Sequence, residues 1–517
     1  MKITGTNPNG AMEILLDGGP LSLPVLDGLW GKRIHLELSP DVWGKVDGSA
    51  AIVASLATGN RPVYGINTGF GCLKNISIPT AQLRVLQNNL ILSHAVGVGE
   101  PVPAEIVRWM FLFKIASLCQ GYSGISRRTL EGLRQLLNAD ILPVVPTQGS
   151  LGASGDLAPL AHLAMPLLGR GTADMNGSRL SAADALRQAG LHVVQLEPKD
   201  GLALINGTQF MSAYAAECVI RARRLLKHAD INAALSLDAT RGCLEPFDEQ
   251  LNALRPHRGA TESSANLCRL LRDSEMLSAP SCHERVQDPY SLRCAGVVHG
   301  ASRDAVRHVA DIVETEINAV TDNPIILPSG EAVSGGLFHG QPLAMALDYL
   351  AIALAELASI SERRTYLLLS GIGGLPPLLM AETGVNSGFM IPQYTAAALV
   401  SENKGLCMPA SVDSIPTSLG QEDHVSMGAR AAVKCRQVLQ NAETVLAIEM
   451  LCVAQGMDFH APLPPGLGTH AAHARIRKTI SHAVCDREFG LDIQTSLALL
   501  RSGDVVGAVE SAVGGIH

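Results

Sequence analysis

Hydrophobic residues recur every three to four positions over most of the chain beyond residue 80, which is the spacing of one face of an α-helix. The segments 80–97 and 103–124 show this spacing and end at glycine, a common helix terminator. The segment 302–324 has the same period and stops at an Asn-Pro pair. These patterns predict long helices joined by short connections.

The segment 342–369 is apolar on nearly every face, although Asp348, Glu356 and Glu362 interrupt it. A helix this apolar is expected inside a helical bundle, packed against helices of other subunits.

Residues 1 to about 75 have a different pattern, in which short apolar runs alternate with Gly and Pro, and they predict short strands and loops followed by a helix. The predicted fold class is therefore mainly α, a long-helix bundle with a smaller mixed N-terminal region. We divide the chain approximately into an N-terminal region, 1–200, and a central helical bundle with C-terminal helices, 201–517. The two parts are not independent, since no linker or charge run separates them.

The composition fits a globular protein that associates with itself. Of 517 residues, 47% are hydrophobic and only 17% are charged, which suggests surface buried between subunits. The net charge of −8 without blocks of like charge argues against nucleic-acid and membrane-surface binding. Neither a signal sequence nor a membrane-spanning run is visible, so we expect a soluble, cytoplasmic protein.

Cysteine and histidine, the residue types that often bind metals, are present, but their spacing along the chain is not that of a metal site. The 11 cysteines contain no C-x-x-C pair and suggest free thiols in a reducing compartment, and the 16 histidines show no metal-binding spacing. No metal is expected. The motifs of serine hydrolases, zinc proteases and P-loop nucleotide-binding proteins are also missing.

Polar, glycine-rich islands interrupt the helical pattern. Loops on a rigid helical scaffold often carry binding residues, although each island is alternatively an ordinary helix connection. Several islands together favour a functional site. They lie at 63–71, 92–101, 148–162, 202–209, 287–294, 335–342 and 416–427.

The tripeptide Ala153-Ser154-Gly155 has a chemistry of its own. If the fold compresses it, the Gly155 nitrogen can approach the Ala153 carbonyl carbon, and only glycine tolerates such a contortion cheaply. Cyclisation, with loss of the Ser154 hydroxyl as water, would yield an electron-poor ring bearing a methylidene group. The protein would thereby gain an electrophile that no ordinary side chain provides. Alternatively the tripeptide is a plain turn.

The surrounding stretch, GSLGASGDLAPLAH, resembles the signature of the aromatic amino-acid ammonia-lyase family. Further segments look like family motifs in family order, namely VYGINTGFG, LINGTQ, QDPYSLRC, TDNP, SENK, PASVDSIPTS and QEDHVSMG. The resemblance covers nearly the whole chain. It implies an ammonia-lyase-type helix bundle and a homotetramer whose active sites combine loops of different subunits. It also implies a methylidene-imidazolone (MIO) cofactor formed from Ala153, Ser154 and Gly155.

The resemblance further implies residue roles. Tyr64 would act as base or proton shuttle, which requires positive surroundings that lower its pKa from about 10. The guanidinium of Arg293 would hold the substrate carboxylate. The remaining implied residues are Asn206 at the carboxylate or the cofactor oxygen, Tyr290 beside the cofactor, and Gln287 and Phe338 in the wall.

The substrate-selecting residues are similar to those of the branch that acts on histidine. These are Ser93-His94 at the far end of the pocket, with Met390 and Glu422. An imidazole has one donor and one acceptor, which a carboxylate and another imidazole can satisfy. The resemblance therefore implies elimination of ammonia from L-histidine to give urocanate, a step of histidine catabolism.

Some positions depart from that branch. The family usually has a Gln two residues after the arginine, but here Arg293 is followed by Cys294-Ala295-Gly296. Leu337 stands where Asn is typical, and Met408 stands where many members of that branch have His. The segment 389–400 is more like the aminomutase and aromatic-lyase branches. A phenylalanine or tyrosine ammonia-lyase and a 2,3-aminomutase stay open, as does an inactive helical scaffold or binding protein in which Ala-Ser-Gly is a plain turn. Single residues also have structural alternatives: Arg293 and Gln287 as structural hydrogen-bonders, Phe338 as a core residue, His94 as a helix cap and Glu422 in the hydrogen bonds of its own loop.

Overall fold

The computed structural model of the chain describes residues 1–59, 61–278 and 285–517, and α-helices dominate it. The mainly-α class with a mixed N-terminal region is confirmed. The helices are α1 Leu23–Asp27, α2 Pro40–Thr58, α3 Leu83–His94, α4 Ala104–Leu118, α5 Arg127–Asn138, α6 Leu157–Ala164, α7 Ala182–Gln188, α8 Asp200–Ile205, α9 Gln209–Thr240, α10 Glu249–Ala253, α11 Arg258–Leu270, α12 Tyr290–Arg293, α13 Ala295–Glu316, α14 Gln341–Leu369, α15 Met390–Leu406, α16 Gly428–Asp458, α17 Leu467–Arg477, α18 Phe489–Ser502 and α19 Asp504–Val513.

The periodic segments correspond to helices with small differences at their ends. Helices α3, α4 and α14 lie within or almost within the predicted ranges. Helix α13 begins seven residues before the segment 302–324 and ends at Glu316, before the Asn-Pro pair. Apolar periodicity locates the body of a helix better than its ends, because capping and loop contacts decide the ends.

Among the described residues, short strands form four small sheets. They are β1 Lys2–Thr6, β2 Met12–Leu16, β3 Ile34–Leu38, β4 Val98–Pro101, β5 Leu142–Pro143, β6 Pro146–Gln148, β7 Thr172–Met175, β8 Ser178–Ser181, β9 Ile325–Ile326 and β10 Ala332–Val333. In the N-terminal sheet, β2 pairs antiparallel with β1 and parallel with β3, so that Ile14 lies opposite Leu36. Both side chains are buried, which explains the alternating pattern of this region.

The chain forms two compact units, and neither is a continuous stretch of sequence. The first unit comprises Met1–Ile220, Ala310–Asp348 and Pro409–Val433. Its core includes α4, where Trp109, Phe111 and Phe113 are almost fully buried. The Trp109 ring packs edge-on against Trp30, with 4.9 Å between the ring centroids.

The second unit comprises Arg221–Val309, Tyr349–Met408 and Lys434–His517, and charged side chains lie in its core. Asp230 accepts hydrogen bonds from Arg303 at 2.7 Å and contacts His299 Nδ1 at 2.7 Å. Arg364 donates to both carboxylate oxygens of Glu449, at 2.5 and 3.0 Å. Each of these buried charges has an oppositely charged partner, as the cost of burying an isolated ion requires.

Helix α14 is only partly enclosed within the single chain. Met345, Tyr349, Ile352 and Tyr366 are 60%, 47%, 47% and 57% exposed in the single chain. By length and composition, α14 is the one helix among the described residues that could cross a membrane, but 67% of its most apolar window is buried inside the protein. Burial of this kind is usual for a core helix of a bundle.

The described cysteines, ten of the 11 in the chain, are all free thiols. Cys282 lies outside the described residues. Within the described part of the chain, no three His, Cys, Asp or Glu side chains lie together as metal ligands would.

Candidate active site

The tripeptide Ala153-Ser154-Gly155 lies in a tight turn between β6 and α6. Ser154 has a left-handed backbone, with φ of 54°, and Gly155 N donates to Gly152 O at 3.3 Å across the turn. Gly155 has φ of 81°, and a Cβ at this position would lie 2.1 Å from Gly207 O. Both the conformation and the space therefore require glycine at position 155.

Two donors converge on the carbonyl oxygen of Ser154. Asn206 Nδ2 donates to it at 2.9 Å and Gly207 N at 3.4 Å. Asn206 is the C-terminal cap of α8, and its own Oδ1 is buried without a hydrogen-bond partner. Two N–H groups aimed at one oxygen are the arrangement by which proteins stabilise negative charge on a carbonyl oxygen.

A buried carboxylate fixes the far end of the turn. Asp156 is fully buried and accepts hydrogen bonds from Met211 N at 3.0 Å and Ser150 Oγ at 3.4 Å. Its own N–H donates to Gly207 O at 2.7 Å. Burial raises the pKa of Asp156 to about 7, although the hydrogen bonds that it accepts act in the opposite direction. The turn is thus held against the start of α9.

Tyr64 lies on the loop between α2 and α3. Its hydroxyl oxygen accepts a hydrogen bond from Gly71 N at 3.3 Å, and its ring packs edge-on against Phe70. Burial raises the pKa of Tyr64, the Gly71 N–H lowers it, and the nearby Glu422 carboxylate raises it further. The described residues of the single chain do not supply the positive surroundings that a basic Tyr64 would require, because burial and Glu422 outweigh the one N–H donor in setting this pKa.

Glu422 lies on a loop that packs against the Tyr64 loop. Ser418 Oγ, on the same loop as Glu422, accepts from Cys72 N at 3.1 Å. Thr417 N donates to the backbone oxygen of Glu422 at 2.9 Å and closes the loop. The side-chain Oε2 of Glu422 is buried without a hydrogen-bond partner. A carboxylate oxygen in this state is costly unless a ligand satisfies it.

Ser93 and His94 form the C-terminal end of α3. Ser93 Oγ and His94 Nδ1 are 3.0 Å apart, and burial lowers the pKa of His94. They share a helix face with Leu86 and Leu90, since residues three, four and seven apart lie on one side of a helix.

The side chains from these loops surround one cavity of about 530 Å³. The rest of its wall is mostly leucine and isoleucine, which suits a small molecule that is apolar except at a few points. Gly155 and Asn206 do not line this cavity, although Gly155 is part of the turn and Asn206 donates a hydrogen bond to it. The predicted residues that line the cavity are Tyr64, Ser93, His94, Ala153, Ser154 and Glu422.

An adjoining cavity of about 510 Å³ also reaches Tyr64, Ala153, Ser154 and Glu422, and Phe338 forms part of its wall. In the same wall His339 stacks on His424, with 5.6 Å between the ring centroids.

The other predicted residues belong to the second unit. The guanidinium carbon of Arg293 lies 4.5 Å from the ring centroid of Tyr290, and Arg293 Nε is buried without a hydrogen-bond partner. Gln287 is exposed, and with Arg293 it lines a cavity of about 800 Å³ in this unit. Met390 is half-buried at the start of α15. None of these four side chains lines the two cavities at Ser154.

Sequence reasoning missed several residues of this site. Gly207 and Ser418 lie inside the glycine-rich islands, but no pattern marks them as contacts of the turn or of the Tyr64 loop. Lys114 was detectable, because it is the lone charge in the apolar run 109–118 of α4, and its Nζ lies 2.6 Å from Asn206 O.

Comparison with known proteins identifies the family. The aromatic amino acid lyase family pattern matches residues 21–478. The chain is 49% identical to the histidine ammonia-lyase of Symbiobacterium thermophilum over 97% of this chain and 99% of that protein.

Solved structures agree in fold along the whole chain. The crystal structure of histidine ammonia-lyase from Trypanosoma cruzi has a TM-score of 0.90 and 41% identity, covering 97% of this chain and 96% of that one. A tyrosine aminomutase from Streptomyces globisporus has a TM-score of 0.91 and 32% identity, covering 98% of this chain and 100% of that one.

The chain belongs to the aromatic amino acid lyase family, as its motifs predict, and it is a carbon–nitrogen lyase.

Proposed function

We propose that this enzyme eliminates ammonia from L-histidine to give urocanate. The observation that carries the proposal is the cavity in which Ser93-His94 and Glu422 line the same space as Ala153 and Ser154. Similarity to proteins named histidine ammonia-lyase at 46–49% identity supports it.

The turn fits an MIO group made from Ala153, Ser154 and Gly155. The left-handed Ser154 and the Gly155 N–H that points back across the turn give the compressed shape that cyclisation needs. Bond formation from Gly155 N to the Ala153 carbonyl carbon releases one water, and loss of the Ser154 α-hydrogen and hydroxyl releases a second. The group, once formed, supplies an electrophile that takes up electrons from the substrate and makes ammonia a better leaving group.

The donors Asn206 Nδ2 and Gly207 N draw electron density onto the carbonyl oxygen of Ser154. This makes the neighbouring unsaturated carbon more electrophilic. We propose that Glu422 accepts a hydrogen bond from the substrate imidazole through its unpartnered oxygen, while His94 satisfies the other ring nitrogen.

Tyr64 removes the β-hydrogen of the substrate in this proposal. Its hydroxyl must lose a proton first, and the pKa is raised in the isolated chain by burial. A cation beside the ring would lower this pKa. We propose that Arg293, which is to hold the substrate carboxylate, brings positive charge to the site from another copy of the chain.

A homotetramer accounts for the division of the predicted residues between the two units. Tyr290 is 69% exposed and the apolar Val286 is 99% exposed in the single chain, and large apolar side chains of α14 are also uncovered. We propose that other subunits cover these surfaces and that each active site combines Gln287, Tyr290, Arg293 and Met390 of one copy with the Ser154 cavity of another. The enzyme is proposed to act in the cytoplasm.

A second candidate is a 2,3-aminomutase or an aromatic lyase acting on tyrosine or phenylalanine. The observations that favour it are the structural similarity to a tyrosine aminomutase and the mostly apolar cavity wall. The phenyl ring of phenylalanine offers Glu422 Oε2 no hydrogen-bond donor, so with that substrate an unsatisfied carboxylate oxygen would remain in the pocket.

Intact mass and a substrate panel test the proposal. The purified chain is expected to be lighter than its sequence by two waters, and Ser154→Ala to have its full calculated mass and no activity. Histidine is expected to be converted to urocanate faster than phenylalanine or tyrosine is converted to any product. Faster conversion of either rival, or a β-amino acid product, would assign the chain to the second candidate. Full mass with full activity would overturn the cofactor.

A further inference from the structure

Helix α4 buries a lysine for which the proposed mechanism has no role. Lys114 is 2% exposed and follows the buried Phe111 and Phe113. Its ammonium nitrogen donates to Asn206 O at 2.6 Å and to Gln209 Oε1 at 3.4 Å, both of them neutral oxygens. Buried ammonium groups are usually paired with a carboxylate, because burial of the charge is costly. A buried ammonium group whose hydrogen-bond acceptors are both neutral suggests a function beyond packing.

The carbonyl that Lys114 binds belongs to the peptide group that contacts the turn. Asn206 O and the N–H of Gly207 are the two ends of one peptide unit, and that N–H donates to the carbonyl oxygen of Ser154. The side chain of the same Asn206 is the other donor to this oxygen. A hydrogen bond from an ammonium to a peptide oxygen polarises the peptide and strengthens its N–H as a donor.

We propose that Lys114 is a positioning residue that strengthens and aligns the two donors at the Ser154 carbonyl oxygen, and thereby increases the electrophilicity of the group formed there. The inference rests on the proposed function. It adds a residue of α4 that touches neither the substrate nor the reacting atoms and acts through the Asn206–Gly207 peptide.

The charge on Lys114 depends on the groups that face it. Burial lowers its pKa to about 7, Asp322 and Asp156 act in the opposite direction, and Lys199 adds to the lowering. Asp322 is already paired with Lys199 at 2.9 Å. Loss of the proton as pH rises through about 7 removes the polarising charge, so the contribution of Lys114 to turnover is expected to fade above that pH. A guanidinium would keep its charge throughout this range.

Two substitutions and one control test the inference. Lys114→Met keeps the length and removes the charge, and Lys114→Arg keeps the charge. Ser117→Ala is the control: it lies three residues further along α4 and loses a partly buried hydrogen bond to Ala319 O, which does not involve Asn206. Measurements are intact mass, kcat and KM for histidine, melting temperature, and the ultraviolet difference spectrum against Ser154→Ala.

Lys114→Met is expected to lose two waters, as the wild type does, and to keep KM within about two-fold while kcat falls about ten-fold. Its difference band is expected to move to shorter wavelength, because weaker hydrogen bonds to a conjugated carbonyl raise the transition energy. Lys114→Arg is expected to recover most of kcat and to lose the decline of kcat above pH 7. Ser117→Ala is expected to change the melting temperature only.

An unchanged band and an unchanged kcat in Lys114→Met would overturn the inference and make Lys114 a packing residue. If Lys114→Met does not fold, the kcat–pH profiles of the wild type and Lys114→Arg decide, and coincident profiles would overturn it. A wild-type chain of full mass without turnover of histidine would overturn the proposed function and this inference together. Wild-type turnover with an indifferent Lys114→Met overturns the inference alone.

Discussion

Glu422 keeps one carboxylate oxygen buried without a hydrogen-bond partner, next to the loop that carries Tyr64. Two consequences follow for the single chain. The charge costs folding free energy, because burial without a partner forfeits its hydration. It also raises the pKa of Tyr64, which opposes the formation of a phenolate. A bound imidazole that donates to Glu422 would relieve the first effect, and a nearby cation would offset the second.

Glu422→Gln tests whether the buried carboxylate of Glu422 is needed for substrate binding. The amide keeps the volume and removes the charge, so the melting temperature is expected to stay equal or rise, while kcat/KM for histidine falls about ten- to a hundred-fold. The neighbouring exposed Asp423→Asn is the control and is expected to change neither quantity. Thermal denaturation and a urocanate assay measure both. A lower melting temperature with normal histidine turnover would make Glu422 a structural member of its loop.

At the scale of elements, the turn that holds Ser154 depends on a close approach between two glycines. A Cβ at Gly155 would meet Gly207 O, while the left-handed Gly177, in the hairpin between β7 and β8, has no atom near its added Cβ within 4 Å. Gly155 and Gly177 have nearly the same φ, 81° and 78°. Alanine substitutions at these two positions therefore distinguish the cost of the left-handed conformation from the cost of the steric clash.

Gly155→Ala and Gly177→Ala make that comparison directly. The left-handed conformation alone costs an alanine about 1–2 kcal/mol, and Gly177→Ala is expected to lose no more than this and to keep the mass deficit of two waters. Gly155→Ala is expected to be destabilised further and to retain its full mass, because the clash opens the turn. Denaturant unfolding and intact mass provide the measurements. Equal stability losses would show that the turn can accommodate a side chain.

The sequence predicted the bodies of α3, α4 and α14 because apolar periodicity reports burial directly. It did not predict the left-handed Ser154, since propensity favours other conformations for serine and only the surrounding contacts impose this one. Nor could it pair Ser154 with Asn206 and Gly207, about fifty positions away, by any physical argument. Asn206 came from the motif, whereas the peptide N–H of Gly207 carries no side-chain signal.

At the scale of the whole molecule, the predicted site residues divide between two units of the chain. The Ser154 cavity lies in the first unit, and Arg293, whose guanidinium carbon lies over the Tyr290 ring, lies in the second. A low fraction of charged residues and the exposed apolar side chains of α14 favour association of identical chains. Association would bring together residues that serve one site from different copies.

Mixing two inactive variants tests this arrangement. Ser154→Ala cannot form the proposed cofactor and Arg293→Met lacks the proposed carboxylate-binding guanidinium, so each homo-oligomer is expected to be nearly inactive. If a site takes Ser154 from one chain and Arg293 from another, random co-assembly leaves both intact in roughly a quarter of the sites, and activity should recover to about that fraction. Co-expression with two affinity tags, followed by tandem purification and a urocanate assay, measures the recovery.

Separately expressed variants mixed after assembly are the control and should stay inactive. If each site were built from one chain, every chain in the mixture would carry a defect, and co-expression would restore nothing.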